Sequence, residues 1–507
     1  MISAPIRLPA ARAMSTTDEL LLIRLSGEVC TKSRKTRQRF TTQLVHAVED
    51  ALISSGLEFS LDRRWSRLFV TAPAAEAGAC LQRVFGVQSL SPVVRRDWAN
   101  LEALVAAGRE LFTERVRGRT FAVRAKRTGG HALPFSSPDV ESALGAALLP
   151  AAAGVDLDQP EITVHVEVHA TDAYFFTEVL PGPAGLPMGV EGRALALLSG
   201  GFDSAVAAWQ LLRRGVALDY LFFNLGGEPH RRGVEQVLEV LARRWSYGDW
   251  PRLHVVDLRH LLPRIRERIR PRYWQLVLKW AMYRVAEALA AELELPFLVT
   301  GESVGQVSSQ TLPNLAALSR VVEVPILRPL LGTNKEEIVT LSRAIGTHAL
   351  SAAMPEYCAL QPRHALTSVG LRALVAEARQ LGRLEIPGLL AERETVDARG
   401  GRSADGRSLA LEAEIPADAV VVDLRSKEDY QRWHAPGALW LEFFEALKAC
   451  PSLPADARYV FYCEVGFKSA HLADLLRRRG VDAWHVPGGA PWLARRLART
   501  REPEPVG

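Results

Sequence analysis

The stretch that decides the fold is ALALLSGGFDSAVAA, residues 194–208. Its first five residues are apolar and predict a buried strand, and the spacing from Ser204 onward predicts a helix. Gly200 and Gly201 allow the tight turn between them. A helix that begins here aims free N–H groups and the positive end of its dipole at whatever lies above the turn. The stretch therefore predicts a phosphate-binding turn; the simpler alternative is an ordinary turn in which Asp203 or Ser204 caps the helix.

Further strand–helix units follow this turn. Strands are predicted at 194–198, 219–225, 253–258 and 296–301, and helices at 204–214, 232–245 and 272–291. Apolar strands separated by helices indicate a parallel sheet that is buried on both faces, with ligands at the carboxyl ends of its strands. We therefore expect a doubly wound α/β domain over residues 190–394. A Walker loop is excluded, because no GxxxxGK[ST] occurs.

The remaining chain is long enough for three more domains, because 507 residues exceed what one core can hold. Strand and helix patterns predict an α+β domain over residues 18–74, a second over 75–180 and a βα domain over 411–501. Segments 181–189 and 395–412 are rich in glycine, proline or polar residues, which predicts linkers.

Charge and cysteine usage narrow the class of protein. Residues 1–130 contain 21 Lys or Arg and 12 Asp or Glu, and this basic region is a weak indication of nucleic-acid binding. The five cysteines are scattered without a CxxC pair, which predicts neither a disulfide framework nor a metal site and favours a reducing, cytoplasmic location. No apolar run is long enough for a membrane span.

A second anion-holding turn is predicted in YVFYCEVGFKSA, residues 459–470. A strand ends at Tyr462, and Cys463 opens a loop that closes on a helix start at Ser469. N–H groups around such a sulfur stabilise a thiolate or a persulfide. The alternative, a small buried cysteine, is the interpretation we adopt for Cys30, Cys80 and Cys450.

Basic residues are concentrated in two short segments of the N-terminal region. Either group is expected to form a solvated face or to contact RNA phosphates, and the presence of two groups beside a nucleotide site favours RNA. The candidate RNA-binding residues are Lys32, Arg34, Lys35, Arg117, Arg119, Arg124, Lys126 and Arg127.

Several motifs resemble known families. Residues 199–204 resemble the PP-loop of ATP pyrophosphatases, and FAVRAKR (121–127) resembles a strand of the RNA-binding THUMP domain. The C-terminal domain resembles rhodanese, with Lys468 where that family commonly has Arg. The chain as a whole resembles the tRNA 4-thiouridine synthetase family, also called the thiamine-biosynthesis sulfurtransferases. Cys30 and Thr31 depart from the opening segment of that family.

The resemblance implies a fold and a nucleotide site. The fold class is α/β and α+β multidomain: ferredoxin-like, THUMP, doubly wound PP-loop and rhodanese-like domains in that order. The implied cofactors are ATP and Mg²⁺. The implied ATP-site residues are Leu197, Leu198, Ser199, Gly200, Gly201, Asp203, Ser204, Lys279, Gly301, Gln310 and Lys335. The simpler alternatives are a surface lysine for Lys279 and a turn residue for Gly301, and the expected positions of both residues at the carboxyl ends of strands or on facing helices favour the site.

The resemblance also implies a reaction. Uridine 8 of tRNA is adenylated, and sulfur from a Cys463 persulfide replaces its C4 oxygen. Catalysis is implied for Asp203, Cys358 and Cys463, with a Cys358–Cys463 disulfide formed in turnover. The implied partners are tRNA, a cysteine desulfurase, a thiol reductant, the thiazole-forming sulfur-carrier system of thiamine synthesis and a second copy of the chain. The alternatives are a PP-loop thiolase or ligase for another tRNA position or a small molecule, and an RNA-binding or sulfur-sensing protein with a decayed ATP site.

Overall fold

The computed structural model describes residues 18–64, 67–128, 133–354, 360, 364–399, 411, 415–464 and 466–499. Backbone contacts divide the chain into a first unit within Ala11–Leu186 and a second that runs from Pro187. Within the described ranges, no helix is long and apolar enough to cross a membrane.

The first unit is built on one mixed sheet with helices packed on it. Its strands are β1 (Asp18–Leu25), β2 (Ser60–Arg64), β3 (Arg67–Pro73), β4 (Val87–Asp97), β5 (Thr120–Arg127), β6 (Gly154–Val155), β7 (Ile162–Val168), β8 (Asp172–Phe176) and β9 (Leu180–Pro181). Its helices are α1 (Gly27–Cys30), α2 (Arg34–Ser54), α3 (Ala74–Leu81), α4 (Leu101–Val116) and α5 (Ser137–Leu148). The strand order is β2-β3-β1-β4-β8-β7-β5-β6, with β9 beside β4.

Strand β4 connects the two halves of this unit, because it pairs with β1 on one side and β8 on the other. The sequence patterns did not predict β4, since Pro92 interrupts its alternation and a proline within a run argues against a strand. The segment 181–189, predicted as a linker, contains the boundary between the two units, which falls between Leu186 and Pro187. Its residues are nevertheless packed. Leu186 and Met188 are buried, and a Cβ on Gly182 would overlap the carbonyl oxygen of Val87.

The second unit begins with the predicted α/β domain. Its strands are β10 (Arg193–Leu197), β11 (Ala217–Asn224), β12 (Arg252–Asp257), β13 (Leu298–Val299), β14 (Ile326–Leu327) and β15 (Glu394–Asp397). Its helices are α6 (Phe202–Arg213), α7 (Glu228–Trp245), α8 (Leu261–Arg268), α9 (Trp274–Glu292), α10 (Leu312–Ser319), α11 (Lys335–Ile345), α12 (His348–Ala353), α13 (Leu371–Arg379) and α14 (Ile386–Ala391).

The sheet of this domain has the order β14-β13-β10-β11-β12-β15, and all its pairs are parallel except β12–β15. Helix α9 supplies much of the apolar core beneath the sheet. The linker prediction for 395–412 is wrong for its first residues. Strand β15 (Glu394–Asp397) pairs with the open edge of β12, and the Arg399 side chain is buried.

The C-terminal domain has a four-stranded parallel sheet with the order β17-β16-β18-β19. Its strands are β16 (Val420–Asp423), β17 (Leu439–Trp440), β18 (Arg458–Tyr462) and β19 (Asp482–His485). Its helices are α15 (Lys427–Arg432), α16 (Phe443–Ala449), α17 (Phe467–Arg478) and α18 (Gly489–Arg499).

Candidate phosphate and sulfur sites

The predicted phosphate turn connects β10 to α6. Gly200 has a φ of +81°, which glycine adopts without strain, and Met354 fills the space that a Cβ on Gly200 would need. The Ser199 and Ser204 hydroxyl oxygens are 3.1 Å apart, and the backbone N–H of Ser199 donates to the Ser204 oxygen at 3.2 Å. The loop is therefore closed by its own hydroxyls, with N–H groups of the first turn of α6 left for an anion.

Asp203 is bound by two side chains from distant parts of the chain. The Lys335 ammonium donates to one carboxylate oxygen at 2.7 Å, and the Gln306 amide donates to the other at 2.8 Å. Lys335 begins α11, and its ammonium also lies 5.4 Å from the centre of the Phe202 ring. The structure thus brings two sequence-predicted residues, Asp203 and Lys335, into one ion pair, and it adds Gln306, which the sequence reading missed.

Gly301 is required by close packing. A Cβ at this position would lie 2.5 Å from the carbonyl carbon of Asp203 and 2.6 Å from the nitrogen of Ser204. Real Cβ atoms do not approach backbone atoms this closely, so glycine lets the chain after β13 touch the start of α6. The contact fixes the phosphate turn against the carboxyl end of the neighbouring strand.

Lys279 is not a solvated surface lysine. Its ammonium donates to Glu302 at 2.8 Å, and Glu302 also accepts from Arg328 at 2.8 Å and from the Tyr283 hydroxyl at 2.6 Å. The two cations and the tyrosine overcome the effect of burial and lower the pKa of Glu302 to about 2, although burial by itself raises it. The sequence reading missed Glu302, Arg328 and Tyr283, which are polar residues with no local pattern.

The other predicted residues lie around the same edge of the sheet. Leu197 ends β10, and Leu198 is buried and donates its N–H to the Leu221 carbonyl at 2.9 Å. The Gln310 side-chain oxygen accepts from the Ser303 N–H at 3.2 Å. Gln310 therefore shapes the loop after β13 in this structure.

Cys463 lies directly after β18, in the loop that leads to α17. Its side chain is fully buried, and the Gly466 N–H donates to its sulfur at 3.1 Å. The Ser469 hydroxyl lies 3.6 Å from the same sulfur. Gly466 has a φ of +101°, which turns its N–H into the loop. The sulfur thus has a backbone donor and a hydroxyl, and this arrangement stabilises sulfur carrying negative charge.

The remaining cysteines differ from Cys463. Cys450 is buried, and burial raises the pKa of its thiol to about 11 although the nearby Arg479 acts in the opposite direction. Burial also raises the pKa of Cys80. Both are therefore protonated thiols at neutral pH, and their burial agrees with the sequence interpretation. Cys30 departs from that interpretation, because it is only partly buried. Cys358 lies outside the described residues. Met354, four residues earlier, packs against Gly200, and Leu360, two residues later, is buried in the α/β core.

The C-terminal domain rests on the α/β domain through an aromatic contact. Trp250, just before β12, has its ring centre 4.4 Å from that of Phe443 in α16 and 5.8 Å from that of His471 in α17. Within the α/β domain, the Arg399 guanidinium lies 5.0 Å from the centre of the Trp250 ring. Helix α17 thus carries His471 in this contact while its start closes the Cys463 loop.

The predicted RNA-binding residues are exposed in the first unit. Arg34 and Lys35 begin α2, and Lys32 lies in the turn between α1 and α2. Arg117 and Arg119 lie between α4 and β5. Arg117 is ion-paired with Glu114, and Arg127 donates to the Phe135 carbonyl at 3.2 Å.

Arg124 and Lys126 line a cleft of about 220 Å³ together with Arg24, His165 and Phe176. The Phe176 ring is stacked on His165, with ring centres 4.9 Å apart, and the Arg24 guanidinium lies 4.6 Å from its centre. Burial, followed by the charges of Arg24 and Arg124, lowers the pKa of His165, so the imidazole is neutral at pH 7. The sequence reading missed Arg24, since it lies 100 residues before Arg124.

The fold and these sites define a multidomain protein in which ferredoxin-like, THUMP, PP-loop and rhodanese-like domains follow one another. Family models match each part: the ThiI ferredoxin-like domain at 20–91, the THUMP domain at 99–178, "Thiamine biosynthesis protein (ThiI)" at 189–381 and the rhodanese-like domain at 409–494.

Whole-chain relatives identify the family. A tRNA sulfurtransferase of Desulfurococcus amylolyticus is 38% identical over 95% of this chain and 99% of its own length. One from Pyrobaculum aerophilum is 36% identical over 92% of this chain and 96% of its own. A solved 4-thiouridine synthetase–RNA complex with bound ATP matches with a TM-score of 0.64 and 28% identity, over 75% of this chain and 99% of its own. The chain belongs to the tRNA sulfurtransferase family.

Proposed function

We propose that this protein is an ATP-dependent tRNA sulfurtransferase that converts uridine 8 of tRNA to 4-thiouridine. The observation that carries the proposal is a pair of sites in one unit: a phosphate turn with the Asp203–Lys335 ion pair, and a buried Cys463 that accepts a backbone N–H. The first suits a nucleotide, and the second suits a sulfur that bears charge. The ATP and RNA of the solved relative support the same assignment.

ATP binds over the loop Ser199–Ser204, with its phosphates at the start of α6 and its adenine near Leu197 and Leu198. Lys335 and Lys279 supply positive charge, and Gln310 and Gly301 hold the loop after β13 in place. The Asp203 carboxylate and the neighbouring hydroxyls are oxygen donors of the kind Mg²⁺ prefers, so they fit this ion. When bound there, Mg²⁺ would offset the charge of the phosphates. Once ATP is present, Lys335 exchanges part of its contact with Asp203 for a phosphate oxygen.

The first chemical step is attack of the uridine C4 oxygen on the α-phosphorus. A bond forms between them, the bond from the α-phosphorus to the β-phosphate bridge breaks, and pyrophosphate leaves. The C4 oxygen then carries AMP and becomes a leaving group. This step accounts for a PP-loop domain in a sulfur-transferring protein.

Sulfur arrives as a persulfide on Cys463, transferred from a cysteine desulfurase. Its terminal sulfur attacks C4 and AMP leaves. The Cys358 thiolate then attacks the inner sulfur, which breaks the sulfur–sulfur bond, leaves sulfur on C4 and forms a Cys358–Cys463 disulfide. In the other order, Cys358 first releases sulfide, which then attacks C4. Either order consumes two electrons from the cysteines, and a thiol reductant restores them.

Cys358 is suited to this role by its place in the chain. It lies four positions after Met354, which packs on the phosphate turn, and four Cα–Cα steps span at most about 14 Å. The Gly466 N–H favours Cys463 as the leaving thiolate when the reductant attacks Cys358 and opens the disulfide. Supply of sulfur to thiazole synthesis would use the same Cys463 persulfide.

The substrate RNA binds across the first unit. The cleft of Arg24, Arg124 and Lys126 and the basic start of α2 supply phosphate contacts, which position an RNA without reading its sequence. His165, neutral at pH 7, and Phe176 offer ring surfaces for an unpaired base.

The experiment is reconstitution with tRNA, ATP, Mg²⁺, cysteine and a desulfurase, followed by mass spectrometry of the nucleosides. We expect 4-thiouridine at position 8. Asp203→Ala abolishes it while Cys463 still accepts sulfur, and Cys463→Ser abolishes it while ATP binding is retained. Cys450→Ser is the matched control and keeps full activity. Thiolation at another position, or of a small molecule alone, would support the alternative PP-loop thiolase or ligase.

A further inference from the structure

A groove of about 460 Å³ opens on the face of the α/β domain formed by α9, α13 and the start of α14. Three arginines and one tryptophan line it: Arg284 and Trp280 from α9, and Arg379 and Arg383 from the end of α13 and the loop that follows. Leu384 and Ile386 complete an apolar floor beside Trp280. The groove therefore combines a concentrated positive charge with an aromatic side chain.

The two arginines at the rim are available to an anion. Among the described residues, Arg379 has no carboxylate partner. Arg383 pairs with Glu385 at 3.2 Å, but the two side chains are 85% and 67% exposed, so water screens the pair. Arg284 is more constrained, because it donates to Glu287 at 2.6 Å.

The positive charge continues onto α8. Arg264 donates to the Leu381 carbonyl at 2.8 Å, and Arg268 lies beside Gly382, where a Cβ would be 3.6 Å from its guanidinium. The segment 264–272 contains five arginines and one glutamate. Arg270 pairs with Glu377 and Arg268 lies 3.8 Å from Glu267, so part of this charge is neutralised within the fold. The arginines still outnumber the carboxylates, and a surface of net positive charge suits a polyanion.

Helix α9 connects the groove to the nucleotide site. Lys279 and Tyr283 lie one turn apart and contact Glu302 at the site, whereas Trp280 and Arg284 lie one turn apart on the adjacent face and line the groove. A ligand in the groove therefore contacts α9, the helix that also carries Lys279 of the nucleotide site.

We propose that this groove, which we call the Trp280 groove, binds the sugar–phosphate backbone of the substrate RNA, with Arg379 and Arg383 on phosphates and Trp280 against a ribose or base. Arginine forks match phosphate oxygens, and aromatic rings accept any base face, which is the combination found in RNA-binding grooves. The proposal rests on the proposed function, because it takes tRNA as the substrate. It gives the α/β domain its own RNA contact in addition to those of the first unit.

The test compares the full-length protein with Arg379→Gln/Arg383→Gln and with the control Arg432→Gln, an exposed arginine of the C-terminal domain. The dissociation constant for unmodified tRNA is measured at several salt concentrations. We expect binding by the double variant to weaken roughly tenfold at low salt, and the slope of log K against log salt to fall by about 2, because each lost phosphate contact removes about 1. The control keeps both values. Arg379→Lys/Arg383→Lys keeps the slope, since the charge remains.

An unchanged affinity and slope in the double variant overturns the proposal. If tRNA binding is unchanged but sulfur loading of Cys463 by the desulfurase is lost, the groove serves an acidic protein and the RNA assignment is wrong. The proposed function is judged separately by 4-thiouridine formation in the wild type. A wild type that forms none, yet binds tRNA through this groove, leaves the groove standing and refutes the proposed function.

Discussion

Replacement of Glu302 by glutamine is the perturbation with the best-defined energetic consequence. The Glu302 side chain is only 7% exposed and contacts Lys279 and Arg328, each at 2.8 Å. Its pKa is lowered from 4.5 to about 2, and this difference corresponds to about 3 kcal/mol of stability at neutral pH. Removing one partner of a buried pair typically costs about 3–5 kcal/mol, because the remaining charge is left uncompensated.

The measurement is hydrogen exchange by mass spectrometry on peptides of α9 and of the strand that precedes Glu302. About 3 kcal/mol corresponds to roughly 100-fold faster exchange where these segments open together. Glu392→Gln, an exposed glutamate of the same domain, is the control and changes exchange by less than about threefold.

The pH dependence gives an independent check. The pKa of Glu302 is lower in the folded state, so its stabilisation is complete above about pH 4.5 and is lost as the pH falls toward 2. The difference between wild type and Glu302→Gln is therefore constant from pH 7 to 5 and decreases below that range. Equal exchange in both proteins at pH 7 would refute the reasoning, as would a difference that grows on acidification.

Three further predictions follow from close contacts. Gly301→Ala should weaken ATP binding at least tenfold, since its Cβ would meet the backbone of Asp203 at 2.5 Å, whereas Gly388→Ala, with no atom within 4 Å, leaves ATP titrations unchanged. Lys335→Ala should lower the rate of tRNA-dependent pyrophosphate release more than it lowers the rate at which Cys463 is loaded with sulfur. Equal rates of pyrophosphate release in variant and wild type would contradict the place of Lys335 in the site. Trp250→Ala should release the C-terminal domain, seen as faster exchange of α16 and α17 and as faster alkylation of Cys463; unchanged alkylation would mean that the docking contact does not protect the thiol.

Much of the α/β fold was predictable because its strands are apolar runs and its helices have clear periodicity. The predicted helices at 204–214, 232–245 and 272–291 overlap α6, α7 and α9. The predicted strands at 194–198, 219–225 and 253–258 overlap β10, β11 and β12. The edge strands β14 and β15 were not predictable, since two to four residues carry no period. These segments become strands by pairing with the open edges of β13 and β12, and those edges exist only once the sheet has formed.

The sequence by itself determined the two turns on which the proposed chemistry depends. Each is a strand, a glycine-containing loop and a helix within about fifteen residues, so its geometry follows from local backbone preferences and from which residues lack a Cβ. Only the tertiary structure decided which side chains meet there. Lys335 reaches Asp203 across 132 positions, and Arg328 reaches Glu302 across 26, because the strand order places the carboxyl ends of β10, β13 and β14 side by side. The spacing of residues along the chain does not predict such contacts, because they arise from the free energy of packing strands and helices into one core.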